Sequence, residues 1–285
     1  MNITTLDPAA LDRLASLRKS ERMPVLFLGH GSPMNAIGDN EYRRSWQALG
    51  NEFGSKRARP QLILCISAHW LTEGWWLTGM DQPKTIHDFG GFPQELFDQQ
   101  YPAPGDAAAA MAISQIVKQR LSAPLGLDVK DWGLDHGAWS VLKPMFPNAD
   151  IPVIQLSMDY SRAPQDHYAL ALQLTALRDR GVLIVGSGNI VHNLRLMQRG
   201  ASASQAYDWA LEFDQTIGGY IQQGNLTALQ NFRKLGTLTT MAHPTHEHYL
   251  PLLYAAGAVK AHEPMRFFNT SFQGGSISMR SVLWG

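Results

Sequence analysis

The chain of 285 residues is long enough for one elaborated α/β domain and short for two large ones. Lysine plus arginine and aspartate plus glutamate number 24 each, so the formal net charge is zero, which argues against nucleic acid or an anionic membrane as partner. The longest apolar runs are strand-sized and residues 1–10 lack the features of a secretory signal, so we expect a cytoplasmic protein without a membrane segment.

The predicted elements begin with an amphipathic, helical lead-in at residues 1–22, which precedes a single catalytic domain at 23–285. Apolar runs predict strands at 24–28, 61–67, 75–78, 152–156, 182–186 and 276–283. Helical patterns cover 41–53, 107–120, 164–180, 203–221 and 248–256. Strands that alternate with helices predict an α/β fold, a three-layer α/β/α architecture around a central, mostly parallel or mixed sheet.

Histidines follow the predicted strands closely. His30 comes two residues after the first strand, His69 three residues after the run 62–66, and His192 seven residues after the run 182–185. His136 and a histidine cluster at 243–248 lie in further connecting segments. Ligands bind beyond the carboxyl ends of the strands in open α/β sheets, and imidazoles that arrive from separate loops suit an open catalytic metal site. The pattern therefore predicts a mononuclear metal centre.

Other residues have simpler interpretations. Any single histidine is as compatible with a hydrogen-bonded structural role as with metal binding, and we expect His167 and His262 at the surface. The single cysteine, Cys65, excludes an internal disulfide and lies in an apolar run, as a small core residue would. The tryptophans near the histidine segments are expected in the core, with one or two available to wall a pocket for an aromatic substrate.

Two aspartates stand directly beside histidines in the sequence. Asp88 follows His87, and Asp135 precedes His136. Carboxylates commonly accept a hydrogen bond from the outer nitrogen of a metal-binding imidazole. We therefore expect these two aspartates to be candidates for orienting imidazoles.

Several common catalytic motifs are missing from the sequence. There is no phosphate-binding P-loop and no dinucleotide-binding G-x-G-x-x-G after a strand. The segment 29–33, GHGSP, has the wrong order for a nucleophile elbow. His246 and His248 are two residues apart, which would point them in different directions on a helix and argues against a zincin.

Seven motifs, in order from about residue 23 to the C-terminus, resemble those of the bacterial 4,5-DOPA extradiol dioxygenases, within the class III extradiol ring-cleavage superfamily. They are LGHGSPMN at 28–35, SAHW at 67–70, TIHDFGGFP at 85–93, YPAPG at 101–105, WGLDHGAW at 132–139, SGNIVHN at 187–193 and PTHEHYLPL at 244–252. The resemblance is specific for the family and less so for the substrate.

This resemblance implies a non-haem Fe(II) held by His30 and His69, with a third ligand from the segment before the last helix. The third ligand of the superfamily is usually glutamate, which would be Glu247 here. The pattern of the bacterial subgroup points instead to His248, and we favour that residue. Zn(II) is the other metal that such a set would bind.

The same resemblance assigns catalytic roles to two further histidines. His192 would be the acid/base residue near the metal, and in a zinc-loaded protein it would serve as a fourth ligand. His136 would contact the hydroxyl of the substrate or the oxygen species derived from O2, in the manner of an oxyanion stabiliser.

The implied reaction is extradiol cleavage of a catechol, such as the 4,5-cleavage of L-DOPA, in which both atoms of O2 enter the product and a semialdehyde forms. The expected partners are the catechol and O2, and a homo-oligomer is compatible with the sequence. Two alternatives stay open: a zinc-dependent hydrolase, because nitrogen ligands suit zinc, and a non-catalytic metal-binding protein. The sequence does not select the catechol.

Overall fold

The computed structural model describes Leu14 and residues 17–118, 123–198, 200 and 205–285. The strands are β1 Val25–Gly29, β2 Leu62–Ser67, β3 Leu71–Thr72, β4 Trp76–Thr78, β5 Lys84–Thr85, β6 Gly126–Asp128, β7 Gly133–Leu134, β8 Val153–Gln155, β9 Met158–Asp159, β10 Val182–Gly188, β11 Met265–Phe268, β12 Phe272–Gln273, β13 Ile277–Ser278 and β14 Ser281–Trp284.

The α-helices are α1 Glu41–Gly50, α2 Gln94–Phe97, α3 Ala107–Ile116, α4 His136–Met145, α5 Pro164–Leu174, α6 Asp208–Gln222, α7 Leu226–Gln230, α8 Thr237–Ala242 and α9 Leu250–Gly257. Short 3-10 helices lie at Pro33–Ala36, Thr175–Arg180, Leu194–Leu196 and Phe232–Leu235. Within the described chain, no helix combines the length and apolarity needed to cross a membrane.

The central sheet has the strand order β11-β14-β1-β10-β2-β8. Strands β1, β10, β2 and β8 run parallel to one another, whereas β14 is antiparallel to both β1 and β11. The residues of β1, β2, β8 and β10 are all buried, as expected for strands that are covered on both faces. The sheet is therefore mixed, with a parallel centre.

Alternate side chains of the central strands belong to two separate apolar clusters, one on each face of the sheet. Val25 and Phe27 belong to the cluster that contains α3, α5, α6 and α9, whereas Leu26 and Leu28 belong to the one that contains α1 and α4. Successive strand residues point to opposite faces, so one strand can supply both layers. The three-layer α/β/α architecture and the mixed sheet are confirmed.

Several predicted boundaries differ from the structure. The predicted helix 164–180 is α5 followed by a 3-10 turn, and it ends at Gly181, whose φ of 73° is left-handed. The predicted closing strand 276–283 is divided into β13 and β14. His192 lies between β10 and the 3-10 helix Leu194–Leu196, and its N–H donates to the carbonyl of Ala242 at 2.9 Å. Several elements had no predicted counterpart, namely α2, α4, α7, α8, β3, β5, β6, β7, β9, β11 and β12.

Three of the minor expectations have clear outcomes. Cys65 is fully buried in the sheet and His262 is exposed, as expected. The expectation for His167 was wrong, because its side chain is completely buried and its Nδ1 lies 2.7 Å from the hydroxyl of Tyr254 on α9. His167 therefore packs against a buried hydroxyl and does not face water.

The predicted N-terminal lead-in lies partly outside the described residues, since residues 1–13 and 15–16 are not described. Leu14 and Leu17 are both buried, and they belong to the same apolar cluster as α5 and α9. The division between a lead-in at 1–22 and a catalytic domain at 23–285 stays a prediction.

Candidate metal centre

The carboxyl ends of the parallel strands converge at one edge of the sheet and deliver histidines there. His30 directly follows β1, and its backbone N–H donates to the carbonyl of Gly188 at the end of β10. His69 follows β2 by two residues. His248 lies in the turn just before α9, and its carbonyl accepts a hydrogen bond from the N–H of Asn189. Three separate loops therefore meet at the position expected for a ligand site in such a sheet.

His30, His69 and His248 form a compact cluster. The ring centroids of His30 lie 5.2 Å from those of both His69 and His248, and the last two are 5.0 Å apart. One ligand nitrogen from each residue lies within 4.8 Å of the other two. The Nε2 atoms of His30 and His69 face each other at 3.3 Å.

Carboxylates lie on the outer side of two of these imidazoles. Asp88 Oδ2 is 3.3 Å from His69 Nδ1, and Glu247 Oε1 is 3.2 Å from His248 Nδ1. An ionised carboxylate can only accept, so each Nδ1 carries the proton and each Nε2 presents a lone pair. The Nε2 of His248 is buried and has no hydrogen-bond partner among the described residues. Lone pairs that converge without a donor fit a bound cation.

The environment keeps the clustered imidazoles neutral. Burial lowers the pKa of His30 and of His248 well below the ordinary value of 6.5, and the neighbouring imidazoles lower both further. Burial also lowers the pKa of His69 to about 3 and that of His192 to about 4. Neutral imidazole is the form that binds a metal, so these residues are suited to that role at neutral pH.

The two histidines predicted to be catalytic border this cluster. His192 stacks on His248 with 3.4 Å between ring centroids and an interplanar angle of 6°. His136 begins α4, and its ring centroid is 3.9 Å from that of His69. The structure thus brings all five histidines predicted for the site to one cavity.

The two aspartates singled out in the sequence have different surroundings from those expected. Asp88 serves imidazoles distant in sequence, since its Oδ1 lies 3.0 Å from His136 Nδ1 and its Oδ2 contacts His69. The neighbouring His87 instead has its Nε2 2.8 Å from the carbonyl of Gln99. Sequence adjacency identified Asp88 as an orienting residue, but it did not identify the imidazoles that it contacts.

Asp135 caps helix α4. Its Oδ1 accepts from the N–H of Ala138 at 3.1 Å, and its Oδ2 accepts from the amide of Gln155 at 2.6 Å. Both carboxylate oxygens are therefore engaged by groups other than the adjacent imidazole of His136. By capping α4, Asp135 nevertheless helps to place the residue that begins this helix.

The other histidines of the segment 243–248 lie outside the cluster. His243 is buried, with its Nε2 2.6 Å from the carbonyl of Ile190. His246 stacks on Tyr160 with 4.6 Å between ring centroids and also contacts Arg233. These two residues have structural partners, and His248 is the member of the segment that reaches the cluster.

The five histidines open onto a cavity of about 780 Å³. Phe89, Phe92, Leu194, Met197 and Ile277 supply apolar wall on its described part. The tryptophans expected there are not among the described lining residues. A mostly apolar pocket with a few convergent polar groups is typical of a site for a small molecule.

Comparison with known proteins identifies relatives over nearly the whole chain. A 4,5-DOPA dioxygenase extradiol from Escherichia coli (strain K12) is 45% identical over 275 residues, covering 94% of this chain and 97% of that protein. A protein of the same name from Beta vulgaris is 35% identical over 261 residues, covering 90% of this chain and 94% of that protein.

Fold comparison gives a consistent result. The crystal structure of an uncharacterized protein from Escherichia coli K12 matches with a TM-score of 0.76 and 41% sequence identity, covering 93% of this chain and 100% of that one. The family described as the catalytic LigB subunit of aromatic ring-opening dioxygenase matches residues 24–276. These findings confirm the resemblance seen in the seven motifs, and the chain belongs to the LigB family of aromatic ring-opening dioxygenases.

Proposed function

We propose that this chain opens the ring of a catechol by extradiol cleavage at an Fe(II) centre, with L-DOPA as the first candidate substrate. The observation that carries the proposal is the convergence of three imidazoles, two of them backed by carboxylates, at one end of a cavity with phenylalanine in its wall. The names of the relatives from Escherichia coli and Beta vulgaris support a DOPA-like substrate.

His30, His69 and His248 are the proposed ligands. An iron(II) ion held there would supply Lewis acidity toward the diol and the redox chemistry toward O2. The same imidazoles suit zinc, and His192 is then the candidate fourth ligand.

We assign the third position to His248 and an orienting role to Glu247. Glu247 Oε1 accepts from the hydroxyl of Thr245 at 2.9 Å and lies on the Nδ1 side of His248. The free Nε2 of His248 is at the opposite end of that ring. Measured metal content separates the alternatives, because His248→Ala should abolish stoichiometric metal binding, whereas Glu247→Ala should only weaken it.

His192 is the proposed proton acceptor for a catechol hydroxyl. It is neutral at pH 7, because burial lowers its pKa to about 4, and its ring is held against that of His248. A positioned general base contributes about 10²–10⁴-fold in rate. The variant His192→Ala should therefore retain metal and lose at least about 100-fold in turnover. Full turnover by the metal-loaded variant would show that this assignment is wrong.

His136 is the proposed contact to the oxygen atoms that react. Its Nδ1 faces Asp88, and its ring lies beside that of His69 and borders the cavity. A protein that only stores metal would keep its metal content after His136→Ala and has no turnover to lose, whereas a ring-cleaving enzyme would lose turnover. His262→Ala is the matched control, since that histidine is exposed and is not among the residues of the cavity.

The decisive experiment is anaerobic reconstitution of the purified chain with Fe(II), and separately with Zn(II), followed by L-DOPA and O2. A yellow semialdehyde with one O2 consumed per L-DOPA, seen with iron alone, is the expected result. Absence of O2 uptake with L-DOPA and with a panel of other catechols would reject this function for the chain. Ester and amide substrates would then test the zinc hydrolase, which family membership disfavours.

A further inference from the structure

Ser187 lies beneath the proposed metal site, on the central strand β10. It pairs with Leu28 of β1 on one side and with Ser67 of β2 on the other, and its side chain is fully buried. Its Oγ lies 3.0 Å from His30 Nδ1 and 2.5 Å from the carbonyl oxygen of Gly137 in the first turn of α4. One hydroxyl therefore contacts both a proposed metal ligand and the helix that begins with His136.

The direction of these two hydrogen bonds follows from the available protons. A serine hydroxyl has one proton to donate, whereas a backbone carbonyl can only accept. The hydroxyl of Ser187 must therefore donate to Gly137, and it can only accept from His30. The proton of the neutral His30 imidazole then lies on Nδ1, and its Nε2 carries a lone pair that faces Nε2 of His69.

A hydroxyl without a second partner would not decide the tautomer, because it could either donate to an imidazole nitrogen or accept from it. The carbonyl of Gly137 removes that freedom. No second partner is needed at His69 and His248, because the carboxylates of Asp88 and Glu247 can only accept a hydrogen bond.

Helix α4 lies close to the ends of the central strands, and this brings the Gly137 carbonyl within hydrogen-bond distance of Ser187. A Cβ atom on Gly137 would lie 2.3 Å from Ser67 Oγ and 2.8 Å from His69 Cδ2. Both distances are too short for real contacts, so α4 can approach the strand ends this closely because residue 137 is glycine. The position of α4 and the tautomer of His30 are thus coupled through a single hydroxyl.

We propose that Ser187 is a positioning residue that holds His30 as the Nδ1–H tautomer and turns its Nε2 lone pair toward the metal, with the Gly137 carbonyl fixing the direction of the hydrogen bond. The part of this proposal that concerns metal affinity rests on the proposed role of His30 as a ligand. The part that concerns the tautomer does not.

The first test compares Ser187→Ala with Ser140→Ala. Ser140 is a matched control, because it is equally buried on α4 and its hydroxyl has no hydrogen-bond partner among the described residues. Competition with a chromophoric chelator measures the affinity of each protein for Zn(II) and Co(II). Loss of a group that orients a metal-binding imidazole typically weakens binding by about 10–100-fold, which is the expectation for Ser187→Ala. Ser140→Ala should bind as the wild type does, and equal affinity for both variants would overturn the proposal.

The second test reads the tautomer directly in metal-free protein by long-range proton–nitrogen NMR of ¹⁵N-labelled histidine, with His30→Gln to assign the signal. Wild-type His30 should carry its proton on Nδ1, and Ser187→Ala should move it to Nε2. A purely structural role for Ser187 would lower the unfolding temperature and leave the tautomer unchanged. The wild-type spectrum alone rejects the proposal if Nε2 is protonated, so a variant that fails to fold does not prevent a decision.

The two proposals can fail separately. A wild-type protein that binds no metal but shows Nδ1–H at His30 would refute the metal centre and leave the role of Ser187 in place. A protein that binds metal with wild-type strength after Ser187→Ala would refute the role of Ser187 and leave the metal centre in place.

Discussion

Replacing Asp88 with asparagine tests whether a carboxylate that contacts two imidazoles of the site sets the position of their protons. The side chain of Asp88 is 18% exposed, and its two oxygens lie 3.3 Å from His69 Nδ1 and 3.0 Å from His136 Nδ1. The backbone N–H of His136 also donates to Oδ1 at 2.9 Å. Burial raises the pKa of Asp88, but hydrogen bonding to His136 and the nearby His69 outweigh burial and lower it to about 2. The group is therefore a carboxylate at any working pH.

Asparagine has the same shape but only one accepting atom. Its oxygen should stay at the position of Oδ1, where the backbone N–H of His136 donates and His136 Nδ1 lies 3.0 Å away, and this places the amide NH2 opposite His69 Nδ1 at the 3.3 Å contact. Two donors cannot bond, so His69 must move its proton to Nε2, the atom that faces His30. We expect metal affinity to fall by about 10–100-fold, or about 1.4–2.8 kcal/mol.

The assay is the chelator competition described for Ser187, combined with O2 uptake at saturating Fe(II). Asp98→Asn is the matched control, because it makes the same charge change at an exposed residue of the same segment. Asp88→Asn should lose affinity and should also lose turnover at saturating metal, since a neutral amide oxygen holds His136 less strongly than the carboxylate does. Unchanged affinity in a folded Asp88→Asn protein would refute the argument that acceptor geometry sets the state of His69.

Three further predictions concern other contacts. Glu247→Gln should weaken Zn(II) binding in the chelator assay by less than about tenfold, because its Oε1 alone faces both Thr245 and His248 and an amide oxygen can replace it. Gly137→Ala should lower the free energy of urea unfolding of metal-free protein by about 1–3 kcal/mol, because the new methyl group would lie too close to Ser67 and His69. An unchanged urea midpoint of unfolding would contradict the close packing of α4 against the strand ends. Burial lowers the pKa of His167 from its ordinary 6.5 to about 4, so the unfolded chain takes up a proton that the folded chain does not. Its contribution to stability should fall by about 1.4 kcal/mol per pH unit as pH drops from 6.5 toward 4, and His167→Asn should flatten that slope.

The sheet and the location of the site were predictable from local patterns. Runs such as 62–66 and 182–185 are apolar without alternation, which is typical of strands covered on both sides, and the histidines that follow them had to reach the carboxyl edge of the sheet. Helix α4 was missed because Gly137 near its start and Pro144 near its end both have low helix propensity. Its stability comes from the Asp135 cap and from burial of nearly its whole surface, which a local pattern does not reveal.

By itself, the sequence determined which residue types reach the centre: histidines after strand ends, within motifs specific to one enzyme family. The tertiary structure decided which acceptor meets which imidazole. Asp88 adjoins His87 in the chain yet contacts His69 and His136, and Ser187 links His30 to a helix 50 residues away. The reason is geometric, because neighbouring residues in a loop point in different directions, whereas contacts between distant segments depend on how helices and strands pack. The proton positions proposed for the imidazoles follow from those contacts.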